Sequence, residues 1–157
     1  MVPLSSVELF AWRNFLRAHA QVTRALEADL LARHDLPLAS YDVLVQLSEA
    51  AECGLRMTEL ADRVLLSRSG LTRLVDRLVR DGLVARTACP SDARGTQAVL
   101  TAAGRARLQE AWPAHLAGVV EHVTSKLTPA EVSQLGDLLG KIAGPCPTPE
   151  SDCGGAA

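Results

Sequence analysis

Gly82 divides a stretch in which apolar residues recur at helical spacing from one in which they alternate as in a strand. Before it, Leu71, Leu74, Val75, Leu78 and Val79 fall at i, i+3, i+4, i+7 and i+8, which makes one buried stripe on a helix that Ser67 is placed to cap. After it, 83–87 and 97–100 read as strands, separated by Cys89-Pro90-Ser91-Asp92-Ala93-Arg94-Gly95-Thr96, a run of turn formers. A β-hairpin with a polar, basic tip is expected. A shorter helix, with Thr58 as N-cap and Leu60, Ala61 and Val64 apolar, precedes the striped one, and Leu55-Arg56-Met57 has the length of a third strand. Two short helices joined by a turn of a few residues outline a helix-turn-helix.

Longer helices flank this unit. Ser5 and Glu8 have capping-box spacing, and Phe10, Phe15, Leu16, Val22, Leu26, Leu30 and Leu31 carry the periodicity to about Arg33, before Asp35-Leu36-Pro37 breaks it. A helix of that length either reaches beyond its own subunit or runs through a core. A second helix, about 39–51, buries Val43, Leu44 and Leu47. A fifth is capped by Thr101 and runs to about Ser125, with a kink expected at Pro113. The sixth begins with Thr128 as N-cap, Pro129 at N1 and Glu131 at N3, and Val132, Leu135, Leu138, Leu139 and Ile142 form its apolar face. Residues 144–157, rich in Gly, Pro, Ser and Cys, are expected to be a disordered tail.

With 157 residues, 48% of them apolar, the chain has enough material for a core of ordinary size. No apolar run is long enough to span a membrane, and a cytoplasmic location with no membrane partner is expected. The net charge of −2 conceals a segregation: 1–55 hold four Arg against seven acids, 56–107 ten Arg against five, and 108–157 two Lys against six. An Arg-rich middle between acidic ends points to a local anion-binding module.

Opposite the apolar stripe the fourth helix presents Arg68, Ser69, Thr72, Arg73, Asp76, Arg77 and Arg80. Arg matches guanine edges and phosphates, and Ser and Thr match phosphates and thymine methyls, so the face suits the major groove of double-stranded DNA; a solvated helix face would look similar. At the hairpin tip, Arg94 is placed to enter a narrow minor groove with Asp92 orienting it, or the two form a local pair that stiffens the turn.

In order, Met57-Thr58-Glu59-Leu60-Ala61, Ser69-Gly70-Leu71-Thr72-Arg73-Leu74-Val75-Asp76-Arg77-Leu78, Asp81-Gly82-Leu83-Val84, Asp92-Ala93-Arg94-Gly95 and Leu100-Thr101-Ala102-Ala103-Gly104 resemble the MarR family of winged-helix transcriptional regulators over about 6–143. The resemblance implies a mainly α fold with a small β-hairpin wing, that is, a winged helix-turn-helix lobe (37–100) and a helical dimerisation region (1–36 and 101–143). It implies a homodimer on a pseudo-palindromic operator, acting as a ligand-responsive repressor. Ser67, Arg68, Ser69, Thr72, Arg73 and Arg77 are then the major-groove candidates, and Asp92 and Arg94 those of the wing. Members of the family bind small aromatic or anionic effectors in a cleft between the two regions. Trp12, Phe15 and Tyr41 are the lining candidates here, with ordinary core positions the competing reading.

Two rival readings stay open, a thiol-based redox regulator and a winged-helix protein-interaction module that binds no DNA. The first helix lacks the cysteine of the family's peroxide sensors, which leaves Cys53 and Cys89 as the thiols to consider beside Cys146 and Cys153. His115 and His122 are two helical turns apart, too far for chelation by that pair alone, and no nucleophile elbow, phosphate loop or HExxH motif occurs. Neither a metal, a cofactor nor an enzymatic activity is expected.

Overall fold

The computed structural model describes residues 3–50, 54–64, 67–89 and 92–143, with the backbone alone at Cys89 and 92–95. Helix α1 (Ser6–His34) opens on the expected capping box, the Ser5 hydroxyl accepting the Glu8 N–H at 3.3 Å while the Glu8 carboxylate accepts the Ser5 N–H at 2.7 Å. It ends where Asp35 turns left-handed at φ 46° and donates its N–H to the Leu31 carbonyl. Helix α2 (Leu38–Ser48) buries Val43, Leu44 and Leu47 and is shorter at its C-terminus than its apolar pattern suggests.

Strand β1 (Leu55–Arg56) leads directly into α3 (Met57–Arg63). Thr58 is not its cap. The helix begins at Met57, so Thr58 lies inside the first turn, and the Glu59 carboxylate supplies the cap by accepting the Arg56 N–H at 2.9 Å. Helix α4 (Arg68–Arg80) starts as expected, with the Ser67 hydroxyl accepting the Gly70 N–H at 3.2 Å. Its stripe of Leu71, Leu74, Val75 and Leu78 is buried.

Strands β2 (Val84–Cys89) and β3 (Asp92–Leu100) pair antiparallel from Val84 opposite Leu100 to Ala88 opposite Thr96, and then, after a shift in register, Cys89 opposite Asp92. The hairpin is thus longer than its turn-forming composition implied, and Asp92 and Arg94 belong to β3 instead of a loop. Strand β1 joins the other edge of β3, Leu55 opposite Ala98, giving the order β1-β3-β2. Helix α5 (Ala102–His122) contains Pro113 and stops short of the expected Ser125, because a 3₁₀ turn occupies Thr124–Lys126. Helix α6 (Pro129–Ala143) has the Thr128–Glu131 box, with the Thr128 N–H donated to Glu131 at 2.8 Å and the return bond at 3.4 Å. The tail at 144–157, Cys53, Cys146 and Cys153 lie outside the described residues.

One core connects these elements. Leu30 of α1 and Leu108 and Ala111 of α5 are buried with Tyr41, Val43 and Leu44 of α2, Leu60 of α3, the α4 stripe, and Val84 and Ala98 of the sheet. At about 25 cal/mol per Å² of apolar surface removed from water, each of these Leu and Val side chains contributes about 1.5–3 kcal/mol. Outside the core lies a second apolar population. Phe10, Trp12, Phe15 and Leu16 on α1, Trp112, Leu116 and Val120 on α5, and Leu135, Leu138, Leu139 and Ile142 on α6 are exposed, and α6 buries no residue at all.

Candidate nucleic-acid interface

The chemistry of α4 follows from its asymmetry. The buried stripe fixes one side, so Ser67, Arg68, Ser69, Thr72, Arg73, Arg77 and Arg80 are all exposed on the other. Local bonds then arrange their polar groups. The Thr72 hydroxyl donates to the Arg68 carbonyl at 2.9 Å, which engages its proton and leaves its lone pairs and methyl group for a partner. Arg73 donates Nε–H to the Ser69 carbonyl at 3.4 Å, leaving its four terminal N–H groups unused. The hydroxyls of Ser67 and Ser69 are 3.4 Å apart at the start of the helix. Among the described residues no carboxylate pairs with Arg68, Arg73, Arg77 or Arg80.

Asp76 lies on the same face of α4, but its charge is already engaged. Its carboxylate pairs with Arg86 of β2 at 2.8 Å and so ties α4 to the base of the hairpin. Both partners are more than a third exposed, and the pair is worth little as stability. Its consequence is positional: the single acid inside the run of basic residues is neutralised to one side. The signal in the sequence was that isolated acid, with a basic residue ten positions on in a strand.

A second link was only half legible. Thr101 was expected to cap α5, and its hydroxyl does accept the Gly104 N–H at 2.9 Å. The same oxygen also lies 2.7 Å from the Gly82 carbonyl and 3.0 Å from that of Leu83, so the start of α5 is bonded to the turn that ends α4. Arg107 continues the connection by donating to the His34 carbonyl at the end of α1. The wing residues Asp92 and Arg94 enter the structure as backbone positions of β3, near the distal end of the hairpin.

The three aromatic candidates separate. Trp12 and Phe15 stack on each other on the exposed half of α1, ring centres 6.0 Å apart. Tyr41 is buried against His115 of α5 at 4.4 Å, and its hydroxyl and His115 Nδ1 both lack partners among the described residues. Burial, with the nearby Asp42 charge a smaller cause, pushes the Tyr41 phenol up to about 12, and burial moves the His115 imidazole below its ordinary value. A separate cavity of about 300 Å³ lies along α2 and α5, lined by Ser48, Arg105, Leu108, Gln109 and Trp112. Among the described residues no three His, Cys, Asp or Glu side chains are grouped to hold a metal, and no helix is long and apolar enough to cross a membrane.

A helix pair whose second helix presents unpaired cations, followed by an antiparallel hairpin and flanked by long helices, defines a winged helix-turn-helix protein. The family model described as the MarR family matches residues 34–95. The chain is 32% identical over 115 residues to the HTH-type transcriptional repressor YetL of Bacillus subtilis, covering 71% of this chain and 69% of that one. Among solved structures it is similar to Sco3205, a MarR family transcriptional regulator from Streptomyces coelicolor in complex with DNA, at 35% identity and a TM-score of 0.82, over 90% of this chain and 92% of that one. It is also similar to CouR from Rhodococcus jostii RHA1 bound to p-coumaroyl-CoA, at 32% identity and a TM-score of 0.72, over 83% and 89% of the two chains. The chain belongs to the MarR family and is a transcriptional regulator.

Proposed function

We propose that the protein binds a two-fold symmetric duplex as a homodimer and represses transcription until a small anionic or aromatic effector releases it. The observation that carries the reading is the exposed row Arg68, Ser69, Thr72, Arg73 and Arg77, free of carboxylate partners, on the helix whose opposite side is locked into the core. Ser67 caps that row, Arg94 takes the minor groove and Asp92 orients it. The exposed apolar faces of α1, α5 and α6 support the assignment of 1–36 and 101–143 to dimerisation and 37–100 to DNA binding, since a second copy would remove them from water. Selection from a random duplex library tests this reading: two half-sites about 10 bp apart, centre to centre, are expected, and an unsymmetrical site or no enrichment refutes it.

The effector reading rests on the cavity along α2 and α5, where Trp112 offers a face for stacking and Arg105 a cation for a carboxylate. The similar CouR structure holds an aromatic acyl thioester. Trp12, Phe15 and Tyr41 do not line this cavity. Titration of simple aromatic carboxylates against the protein–DNA complex, with Arg105→Ala beside Tyr41→Phe and the Trp12 and Phe15 alanine variants, identifies which residues the effector uses. Protein with its thiols reduced and oxidised should bind DNA alike; a difference would favour the redox reading for Cys53 or Cys89.

A further inference from the structure

The charged face of α4 is not one surface. Arg73, Arg77 and Arg80 stand at i, i+4 and i+7 and, with Gly70, Leu74 and Ala39 of α2, line a groove of about 540 Å³. Arg68 and Thr72 lie around the helix from it, on the side where Asp76 reaches Arg86 of the hairpin. We infer that the C-terminal part of the groove is a binding site for a phosphate of the DNA backbone, that Arg80 belongs to it, and that sequence is read by Arg68, Ser69, Thr72 and Arg73, the last standing where the two parts of the face meet. The inference rests on the proposed DNA-binding function and divides its residues by role.

The chemistry favours an anion without base-specific donors and acceptors. Three arginines line the groove and none of its lining residues is acidic; Asp76, on the same face of the helix, is held by Arg86 at 2.8 Å. Asp81 faces the neighbouring cavity, which Arg77 also lines, and pairs with none of the three arginines. Like charges that line one groove repel, and a phosphodiester with its two free oxygens relieves that repulsion while accepting forked hydrogen bonds. The groove runs along α4 from Gly70 to Arg80, and Arg80, the last residue of the helix, closes it at the C-terminal end. The first turns of a recognition helix reach base edges, so its far end falls beside the sugar-phosphate strand.

The test is Arg80→Ala, with Arg80→Lys beside it, measured by fluorescence anisotropy on the selected operator and on an unrelated duplex from 50 to 200 mM KCl. The alanine variant should weaken binding to both duplexes alike and leave the preferred sequence unchanged. It should also make the salt slope shallower by about 0.9 for each phosphate that is no longer neutralised, equivalent to a mutant-to-wild-type affinity ratio that changes about 3.5-fold per phosphate over that range. Lysine should retain the slope, because a point charge still pairs with phosphate. An unchanged slope overturns the assignment, including the case where only the melting temperature moves because Arg80 serves the helix C-terminus. Relaxed preference at one base position overturns it as well, by making Arg80 a reader. If wild-type protein enriches no duplex, the DNA-binding function itself falls, an outcome distinct from either.

Discussion

Gly54 and Gly82 have almost the same backbone conformation, φ 78° and 73°, in the left-handed region that side chains disfavour, yet their surroundings are opposite. A Cβ at Gly82 would meet nothing within 4 Å, whereas one at Gly54 would overlap the Ala98 carbonyl oxygen and come within 2.8 Å of Val99 Cγ2 on β3. Replacing either with alanine costs about 1–2 kcal/mol for the left-handed conformation. The loss of unfolded-state freedom, about 0.4–1 kcal/mol in favour of alanine, is common to both and cancels in the comparison. Gly54→Ala carries in addition the cost of forcing an atom against backbone, about 1–3 kcal/mol, because no side-chain rotation relieves it. For a chain of this size each kcal/mol moves the melting temperature by about 2–4 °C, so Gly54→Ala should melt roughly 2–12 °C below Gly82→Ala. The measurement is thermal unfolding of both variants beside wild type, with urea titrations to establish that the slope with denaturant is unchanged. Equal melting temperatures, or Gly82→Ala the lower, would refute the idea that the approach of β3 to Gly54 demands glycine there. The Gly54 variant should also bind DNA less well than its stability alone predicts, since the crowded strand is the one that carries Arg94.

Arg73→Ala should reduce operator affinity by about 1–3 kcal/mol and relax preference at one base, with melting unchanged because the side chain is exposed; intact affinity argues against α4 as the reading helix. Leu135→Asp and Leu139→Asp should yield monomers by sedimentation at micromolar concentration, and persistence of the dimer in both would remove α6 from the interface. Because burial disfavours the charged form of His115, the unfolded chain binds the extra proton first. Stability should rise with pH through the region at and below about 6.5, and His115→Gln should flatten that rise in denaturation curves taken from pH 5 to 8. Arg94→Ala should lower the salt slope of DNA binding while Asp92→Ala leaves it in place; matching behaviour in the two variants would mean that they only brace the hairpin.

The parts of the fold that were legible are those where side-chain chemistry and chain geometry coincide over three or four residues. Ser5–Glu8, Ser67–Gly70 and Thr128–Glu131 cap helices as their spacing implies, because a cap is satisfied within one turn. At α3 the same rule misplaced the start, since the sequence offers a Thr two residues inside and the Glu59 carboxylate supplies the cap from N3. The sequence makes the hairpin too short for a related reason: Asp92-Ala93-Arg94-Gly95 has the composition of a turn, yet the ladder resumes at Cys89 opposite Asp92 after a shift in register that composition does not encode. The pattern of α4 revealed which face is free but not how it is subdivided. Asp76 meets Arg86, and Thr101 meets Gly82 and Leu83, through bonds between elements that periodicity does not encode. The aromatic candidates were three of the five rings in the chain, and only packing separates buried Tyr41 from exposed Trp12 and Phe15.

These cross-element bonds bear on how an effector would act. Helix α4 is held on one side by four core residues, tied to β2 by Asp76 and Arg86, and followed by a turn whose carbonyls are bonded to Thr101. Packed on one side and bonded at the turn that follows it, α4 would move with the lobe that carries the proposed reading surface. Thr101 is also the cap of α5, and Arg107, six residues on, holds the end of α1 through the His34 carbonyl. A change in the angle between α1 and α5 would therefore be passed to the lobe through these bonds. In the proposed dimer the distance between two copies of α4 is then set by the long helices, with no need to deform the helix-turn-helix. The cavity lined by Arg105 and Trp112 lies on α5 one turn either side of Leu108, which is itself part of the core shared with the lobe. In the proposed dimer, a ligand that altered α5 there would act on the spacing of the two copies of α4, and DNA with half-sites one helical turn apart tolerates little error in that spacing.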